Sequence, residues 1–590
     1  MKLLFLQDHR LFHKTKTSIM KTNLYLLAGI LMISAFAKAQ LTFSDATDLL
    51  VNNNLRSGVA MAVTDVNNDG LDDIIRLDGA QNLEIEYQQE DGSFTLAALG
   101  TGIGGPWGMT IADVDDNGFN DIILGGSYDD LKLLKADASG TSFTVETLDG
   151  PNIFLQNANF VDINNDGNID FFGCHDDGLS NPYKNDGSGN LTYDLGLIDT
   201  SSTVASDNSG NYGSIWMDYD NDGDLDLYIS KCRQGVDDPM DGRRLNLLFQ
   251  NDGNNNFTDV AESAGLLPMT QTWSTNFEDI DNDGDLDAVI VNHFSNHQIY
   301  ANNGDGTFTD ITAQTGVETA LQEIGFGIQV MMEDFDNNGF IDIYMTTTDG
   351  DDKILLNNGD ITFTEAVNPF TRNGDHVQSA AVGDLNNDGF IDIIAGYASG
   401  FNNPSDSAND QLFLNNGNEN NWIKLDLKGD ESNSNGIGAR IELYGDWGLQ
   451  IREVRAGESY GTQNSLQTHF GIATATAIEK VIVRWPSGIV DEILEPSINR
   501  TLTVLEGENE LSLVDFNTGD FLIYPNPTKG SFTVEHTRDK LEEITIYDVN
   551  GRKLEVFKPA ALKNNIDVAH LSSGVYFVSA GNTYKRLVKQ

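Results

Sequence analysis

From residue 41 onward the chain is a succession of short apolar and alternating segments, each cut off by Gly, Asn, Asp or Pro. Segments such as DIILGG at 121–126 and DIYMTT at 342–347 are β-branched and turn-bounded, which predicts strands. A second signal recurs between them: LLFQNDGNNNFTDV from Leu247, QIYANNGDGTFTDI from Gln298 and ILLNNGDITFTEAV from Ile354. In each, an apolar strand, an Asn/Asp-Gly turn and a Phe-Thr strand predict a hairpin. The first apolar run differs. Residues 24–36 follow Lys14, Lys16 and Lys21 and precede Ala37-Lys38-Ala39, so residues 1–39 read as a signal peptide, with Met20 an equally good start. A run of that length is too short to span a bilayer core that needs about 20 residues.

The strands sit in a repeat. The pattern D-x-[DN]-x-[DN]-G-x-x-D occurs seven times, starting at Asp65, Asp113, Asp162, Asp218, Asp279, Asp334 and Asp384, with spacings of 48, 49, 56, 61, 55 and 50 residues. A period near 50 predicts a stack or ring of one supersecondary unit. Each unit reads as strand, acidic loop, strand, turn, strand, turn, strand, the composition of a propeller blade. Seven units predict a closed ring. The last unit, ending QLFLNNGNENN from Gln411, lacks its Phe-Thr strand, while LTFSDATDLL from Leu41 resembles FTDVAESAGL from Phe257. Residues 41–50 are therefore expected to complete the seventh sheet.

Inside each loop, oxygen-bearing side chains at positions 1, 3 and 5, a carbonyl at 7 and a carboxylate at 9 can converge if the chain turns at the Gly in position 6. With position 9 bidentate, six oxygens and a water suit Ca²⁺ better than Mg²⁺, and no Cys or His is present to favour a softer metal. The expected ligands are Asp65, Asn67, Asp69 and Asp73; Asp113, Asp115, Asn117 and Asp121; Asp162, Asn164, Asp166 and Asp170; Asp218, Asp220, Asp222 and Asp226; Asp279, Asp281, Asp283 and Asp287; Asp334, Asp336, Asn338 and Asp342; and Asp384, Asn386, Asp388 and Asp392. Uncompensated, these carboxylates repel, so folding and ion binding are expected to be coupled, with up to seven structural Ca²⁺. The loops from Asp218 and Asp279 have Asp at all four positions and are expected to bind tightest. Position 12, where an EF-hand carries Glu, is Arg76, Leu124, Gly173, Ile229, Ile290, Met345 or Ala395, which excludes that motif.

On these residues the repeats resemble the FG-GAP/VCBS family, the calcium-loop propellers of integrin α subunits, over residues 41–420. The resemblance implies structural calcium on one face and partners bound by loops on the other. The widest spacing, between Asp218 and Asp279, points to an insertion around 231–244 as a shaper of that second face.

From Asn421 the strands lengthen into NWIKLDLKG, NGIGARIELY, KVIVRWPSGIVDEI and RTLTVLEG, a compact β domain over 421–507. Gly436 to Arg440, Arg455-Ala456-Gly457, His469-Phe470-Gly471 and Arg484 to Gly488 make it resemble the ASPIC/UnbV domain of the cartilage acidic protein family. After a polar linker at 508–520, residues 521–590 read as a small β-sandwich. Tyr524-Pro525-Asn526-Pro527, Gly574-Val575-Tyr576 and the terminal Lys585, Arg586 and Lys589 resemble the C-terminal sorting domain of type IX secretion cargo. That resemblance implies the secretion machinery as a partner and a secreted or outer-surface location.

Charge separates the same modules. The chain holds 90 Asp+Glu against 35 Lys+Arg, a net −55 that excludes binding by phosphate neutralisation. Residues 1–39 hold six basic and one acidic residue and 521–590 ten and seven, leaving 19 basic and 82 acidic residues in 40–520. With 39% hydrophobic residues, disorder does not explain the charge. Cys174 and Cys232 are too few for a disulfide framework, and either pair or stay as small buried residues.

No acid, base and nucleophile gather in sequence. Gly457-Glu458-Ser459-Tyr460-Gly461 fits the G-x-S-x-G elbow, but its surroundings are β and loop, and His469 and Asp491 follow in the wrong order. His293 and His297 flank a turn and are expected at an exposed loop tip; His175 and His376 are isolated. The reading is an all-β, seven-bladed propeller followed by a small β domain and a C-terminal β-sandwich. It acts outside the cell as a non-enzymatic binding module for a glycan or protein, the alternative being a calcium-dependent polysaccharide lyase or hydrolase. A scaffold role in a surface machine is the third expectation.

Overall fold

The computed structural model describes residues 41–590 apart from 78–81, 104, 202–206, 294–295, 371–375, 399–402, 510–520, 537–542, 548–551, 560 and 581–582. The expected signal peptide and most of the expected linker lie outside the described residues. The regular secondary structure is almost all strand, with a few short helical turns. The chain divides into two compact units, Met1–Glu508 and Asn509–Gln590.

The first unit contains seven meandering antiparallel sheets built from consecutive strands. Their first strands are Met61–Thr64, Gly108–Ala112, Leu155–Val161, Asn211–Met217, Thr272–Glu278, Gly327–Glu333 and His376–Gly383. Each adjoins the first strand of the next sheet, and the last adjoins Met61–Thr64, so the neighbour relations form a cycle. These strands are buried along almost their whole length, polar residues such as Asn157, Asn159, Ser274 and Asn276 included. Five of the seven outermost strands, such as Phe257–Asp259 and Phe308–Asp310, are three residues long, a short edge that resists pairing with other chains. In the last sheet Phe43–Asp45 pairs with Gln411–Asn415, Phe43 opposite Asn415, and supplies the missing outer strand.

The domain beginning at Asn421 belongs to the same compact unit as the sheets. Trp422–Lys428 lies between Thr468–Gly471 and Thr501–Leu505, and a second sheet runs in the order Gly448–Glu453, Arg440–Gly445, Lys480–Arg484, Val490–Leu494. Its core residues Ile423, Leu425, Ile441 and Val483 share one apolar cluster with Ile123, Leu155, Phe160 and Phe171 of the repeats. From this domain residues 456–464 run in among the first strands. Thr462–Gln463 pairs in parallel with Met61–Thr64, making the first sheet five-stranded, and Ala456 bridges Phe160.

The second unit is two sheets, Phe521–Tyr524, Ser531–His536 and Lys563–Asp567 in one and Lys553–Phe557, Ile544–Tyr547, Gly574–Ala580 and Thr583–Lys589 in the other. Phe521, Phe532, Val534, Ile546, Val578 and Leu587 close its core.

Candidate metal centres and the open ends of the strands

All seven acidic loops share one backbone frame. The position-1 Asp accepts the position-5 N–H on Oδ1 at 2.9–3.2 Å and the Gly N–H on Oδ2 at 2.7–3.0 Å. Position 9 accepts on Oδ1 an N–H from the third strand or its end, from Gln88, Ala136, Asn185, Asn251, Asn302, Asn357 and Asn415, at 2.7–2.9 Å. The Gly has φ of 85–97°, as expected, but position 4 is also left-handed, from Asn387 at φ 54° to Asn282 at 60°. Asn is the residue other than Gly that enters this region most cheaply, and six of the seven loops have it there.

Position 3 divides the loops. Where it is Asp, the carboxylates of positions 1, 3 and 9 gather with one oxygen each within 4.8 Å: Asp113, Asp115 and Asp121; Asp218, Asp220 and Asp226; Asp279, Asp281 and Asp287; Asp334, Asp336 and Asp342. In three of these the Oδ1 of Asp115, Asp220 and Asp281 is buried without a hydrogen-bond partner, a cost that a cation removes. Where position 3 is Asn, the amide is spent inside the loop: Asn67 Nδ2 donates to Asp69, Asn164 to Asp170 and Asn386 to Asp388, at 2.9–3.0 Å. Asn at position 5 leaves the acidic trio intact, because Asn117 and Asn338 turn their amides to the carbonyls of Ala136 and Asn357. The division is thus four loops against three, whereas the count of Asp residues alone ranked two above five.

Burial pushes these acids up. Asp65, Asp218 and Asp279 rise to about 7, Asp162 to about 6 and Asp334 to about 8. At position 9, Asp121 and Asp170 rise to about 7 and Asp226 to about 9. Neighbouring carboxylates add to the rise and backbone N–H bonds oppose it. The donor set is wholly oxygen, with no Cys or His, so several of these groups could hold a hard metal ion.

The second domain lies against the loops. Asn435 Oδ1 accepts Asp113 N–H at 2.8 Å and its amide donates to Asn120. Gln467 donates to Gly70 O at 3.0 Å, Arg440 to Gly284 O at 2.8 Å, and His469 Nε2 lies 3.0 Å from Gly389 O. Lys424 Nζ is 2.7 Å from Asp384 Oδ2, so a buried ammonium meets position 1 of the seventh loop. Gly471 packs so closely on the sixth loop that a Cβ there would lie 2.1 Å from Asp334 Oδ2 and 2.4 Å from Asn337 Cα.

Residues 456–464 reach all seven first strands. Gln463 bonds Thr110 and Ile111; Gly461 N–H donates to Asn157 Oδ1 at 2.9 Å; Tyr460 is fully buried, stacks on Tyr212, meets Trp273 edge-on and donates its hydroxyl to Gln156. Gln329 donates to Tyr460 O, and Thr462 Oγ1 donates to Ala380 O and Met61 O. Just before it, Arg455 meets Glu278 at 2.8 Å and Glu453 at 3.0 Å. The G-x-S-x-G serine belongs here: Ser459 has φ 52°, is fully buried, and its Oγ accepts Val330 N–H at 2.9 Å. Asp491 accepts from Trp485 and Gly507, and His469 faces the seventh loop, so the three are not brought together.

The strands' other ends carry His175, His293, His297, His376 and both cysteines. Cys174 and Cys232 are both buried and free. His297 is buried and accepts Asn292 N–H on Nδ1, and His293 Nδ1 is 2.9 Å from Cys232 Sγ. The exposed loop tip expected for this pair is corrected: His297 is buried and His293 half-buried, and burial lowers both imidazoles to about 4. Nearby, Arg233, at the start of the 231–244 insertion, meets Asp176 at 3.0 Å and Asp177 at 2.6 Å. Tyr128 donates its hydroxyl to Asp177, and its ring lies 6.1 Å from His175 and 5.9 Å from Phe154, itself 5.4 Å from Trp107. Sequence reasoning missed this cluster because its members come from five separate connections.

Family models match at three places: FG-GAP-like repeats at 65–124, 279–330 and 334–395, the ASPIC and UnbV domain at 429–511 and a secretion system C-terminal sorting domain at 522–590. The chain carries all three. Its sorting domain marks it for type IX export to the cell surface or the medium. Among curated proteins it is similar to cartilage acidic protein 1 of Xenopus tropicalis, 24% identical over 280 residues covering 44% of this chain and 41% of the relative. Cartilage acidic protein 1 of Homo sapiens is 24% identical over 292 residues, covering 46% and 42%. The chain thus spans less than half the length of these relatives. Among solved structures it is similar to an Agrocybe aegerita lectin that recognises non-reducing terminal N-acetylglucosamine (18% identity, 60% of this chain, 94% of that one, TM-score 0.37). Another is Saccharomyces cerevisiae Sqt1, at 11% identity, 64% and 99% coverage and TM-score 0.38. Among the described residues no helix is long and apolar enough to cross a membrane.

Proposed function

We propose that this chain is an exported seven-bladed propeller, stabilised by calcium, that binds a glycan or a protein outside the cell without catalysing its turnover. The observation that carries the reading is the trio of buried, unpartnered carboxylate oxygens on Asp115, Asp220 and Asp281, each held in an all-oxygen loop. An exterior rich in Ca²⁺ supplies the missing charge, and the export signals take the chain there. Four loops, from Asp113, Asp218, Asp279 and Asp334, hold the ion tightest; the three with Asn at position 3 hold it more weakly. The 1–39 leader, the domain limits at 420, 507 and 520 and the 28 ligands are part of this proposal.

The lyase or hydrolase reading has one observation in its favour, the gathering of Tyr128, His175, Asp176, Asp177 and Arg233 away from the loops. The protonation states favour holding over abstraction. Tyr128 donates to Asp177, which raises its hydroxyl to about 12, the opposite of what a tyrosine base needs. Calorimetric titration of the chelated mature protein with Ca²⁺, followed by pull-down from extracellular matrix with and without chelator, tests the proposal. Four tight sites and ion-dependent capture are expected; an ion count near zero defeats it.

A further inference from the structure

We propose that the ring of side chains around Tyr128 is a stacking site for a neutral saccharide. This deepens the binding reading above and rests on it. The site lies beyond the second strands of the second, third and fourth sheets, at the ends away from the acidic loops: Tyr128 follows Asp121–Gly125, His175 ends Asp170–His175, and Arg233 follows Asp226–Lys231.

Three features point to a sugar. The first is an aromatic surface left open to water. Tyr128 is 44% exposed, and Trp107, Phe154 and His175 beside it are half-buried. Exposed aromatic faces match the C–H-rich face of a pyranose ring, and aromatic rings supply area at little entropic cost. The second is that the ring is held in place at a conformational cost. Tyr128 has φ 64°, a region where a bulky residue is an outlier. Its backbone N–H is fixed to Ile153 O at 3.0 Å and its hydroxyl to Asp177. The third is the polar set beside it. Asp177 and Arg233 keep 37% and 30% of their side chains exposed while paired at 2.6 Å, so each has bonding capacity directed to solvent. His175 Nδ1 accepts the N–H of Phe154 at 3.3 Å and of Asp177 at 3.2 Å, which places its proton on Nε2 as a donor. Planar side chains that donate and accept in pairs suit vicinal hydroxyls.

Charge selects among saccharides. Asp176 and Asp177 outnumber Arg233 beside Tyr128, the exposed Asp129 and Asp130 follow it in the chain, and the whole chain carries −55. Sulfated and uronate polymers are repelled from such a surface, which leaves neutral hexose and N-acetylhexosamine oligosaccharides.

The test uses full-length mature protein with Ca²⁺ present, titrated calorimetrically with neutral cello-, xylo-, chito- and galacto-oligosaccharides and with heparin and alginate fragments. The wild type is expected to bind a neutral series, with Tyr128→Gly and Asp177→Asn each weakening it roughly tenfold or more. Glycine relieves the backbone at this φ, so an unshifted melting transition shows that lost binding is not lost folding; Asp177→Asn is the second arm should the first variant unfold. Neutral binding that both variants leave intact overturns the site while sparing the binding reading. Binding of heparin alone overturns it as well. Absence of any glycan binding alongside capture of a protein partner has the same effect and leaves the broader reading standing. Cleavage of a neutral oligosaccharide that vanishes with Tyr128→Gly sustains the site and overturns the non-catalytic reading.

Discussion

The two ends of the ring strands are built on different principles. At the loop ends seven copies of one nine-residue solution repeat the same bonds, and a second domain is packed onto them with its extension among all seven first strands. At the other ends the turns differ in length and content, and Tyr128, His175 and Arg233 meet from three sheets without any shared pattern. The repeated end holds the carboxylates of the loops and the apolar contact with the second domain, whereas around Tyr128 the variable end keeps aromatic and charged groups open to water.

The largest test of that division is removal of residues 421–508. The repeats then lose half of a shared core and the contacts of Thr462, Gln463 and Tyr460, more than a typical stability of about 5–15 kcal/mol can absorb. Scanning calorimetry is expected to find no cooperative transition; a truncated ring that melts as the whole does breaks the comparison. Next come single changes in the inserted segment. Tyr460→Ala, which empties a fully buried site, is expected to cost about 3–5 kcal/mol. Arg455→Ala, which strands Glu278 and Glu453, is expected to cost a similar amount in denaturant titrations, about 3–5 kcal/mol.

Chelation ranks third, and its pH dependence has a definite sign. Asp65, Asp121 and Asp279 rise to about 7 and Asp226 to about 9 from an ordinary 3.8. The metal-free folded chain therefore binds these protons more tightly than the unfolded chain does. The stability these groups contribute is fully present below about pH 4 and is lost progressively as pH rises from there through 7 to 9. With Ca²⁺ the trend reverses, because protons then compete with the ion: the gain in melting temperature on adding Ca²⁺ is expected to be largest near pH 8 and to vanish toward pH 4–5. A gain independent of pH counts against carboxylate ligation.

A finer test exchanges the two kinds of loop. Asp220→Asn is expected to remove one tight ion by mass spectrometry under native conditions, and Asn386→Asp to strengthen a weak one, roughly tenfold in each direction. Lys424 beside Asp384 makes the second gain the smaller. Smallest of all, Tyr128→Gly is expected to move stability by no more than about 0.5 kcal/mol, as for surface positions in general. A loss as large as that of Tyr460→Ala means that the open end also supports the fold.

The repeat was legible because a nine-residue loop is determined by its own spacing: oxygens at 1, 3, 5 and 9 and a Gly at 6 need no distant partner. The division of the loops was not, because it depends on where an amide turns. Asn117 and Asn338 reach hairpin carbonyls, whereas Asn67, Asn164 and Asn386 stay within their loops. The recurrent Asn at position 4 was visible as a letter but not as a backbone angle. The same holds for Asn185, Asn302, Asn357 and Asn415, whose amides each donate to carbonyls of their own and a neighbouring loop. Least legible was the meeting of Met61 with Thr462, since pairing across 400 residues leaves no local trace. Of the strings that made the second domain recognisable, those around Arg440, Arg455 and His469 touch the loops and first strands, whereas Arg484 to Gly488 bonds within its own domain.

That distant pairing also sets a clock. The first sheet waits for Thr462, and Phe43 waits for Gln411–Asn415, so the ring cannot be finished until both late segments are present. Such non-local topology folds slowly. A chain that ends before residues 411–463 therefore leaves the outermost strand of the last sheet and the innermost strand of the first without the partners they take in the finished ring.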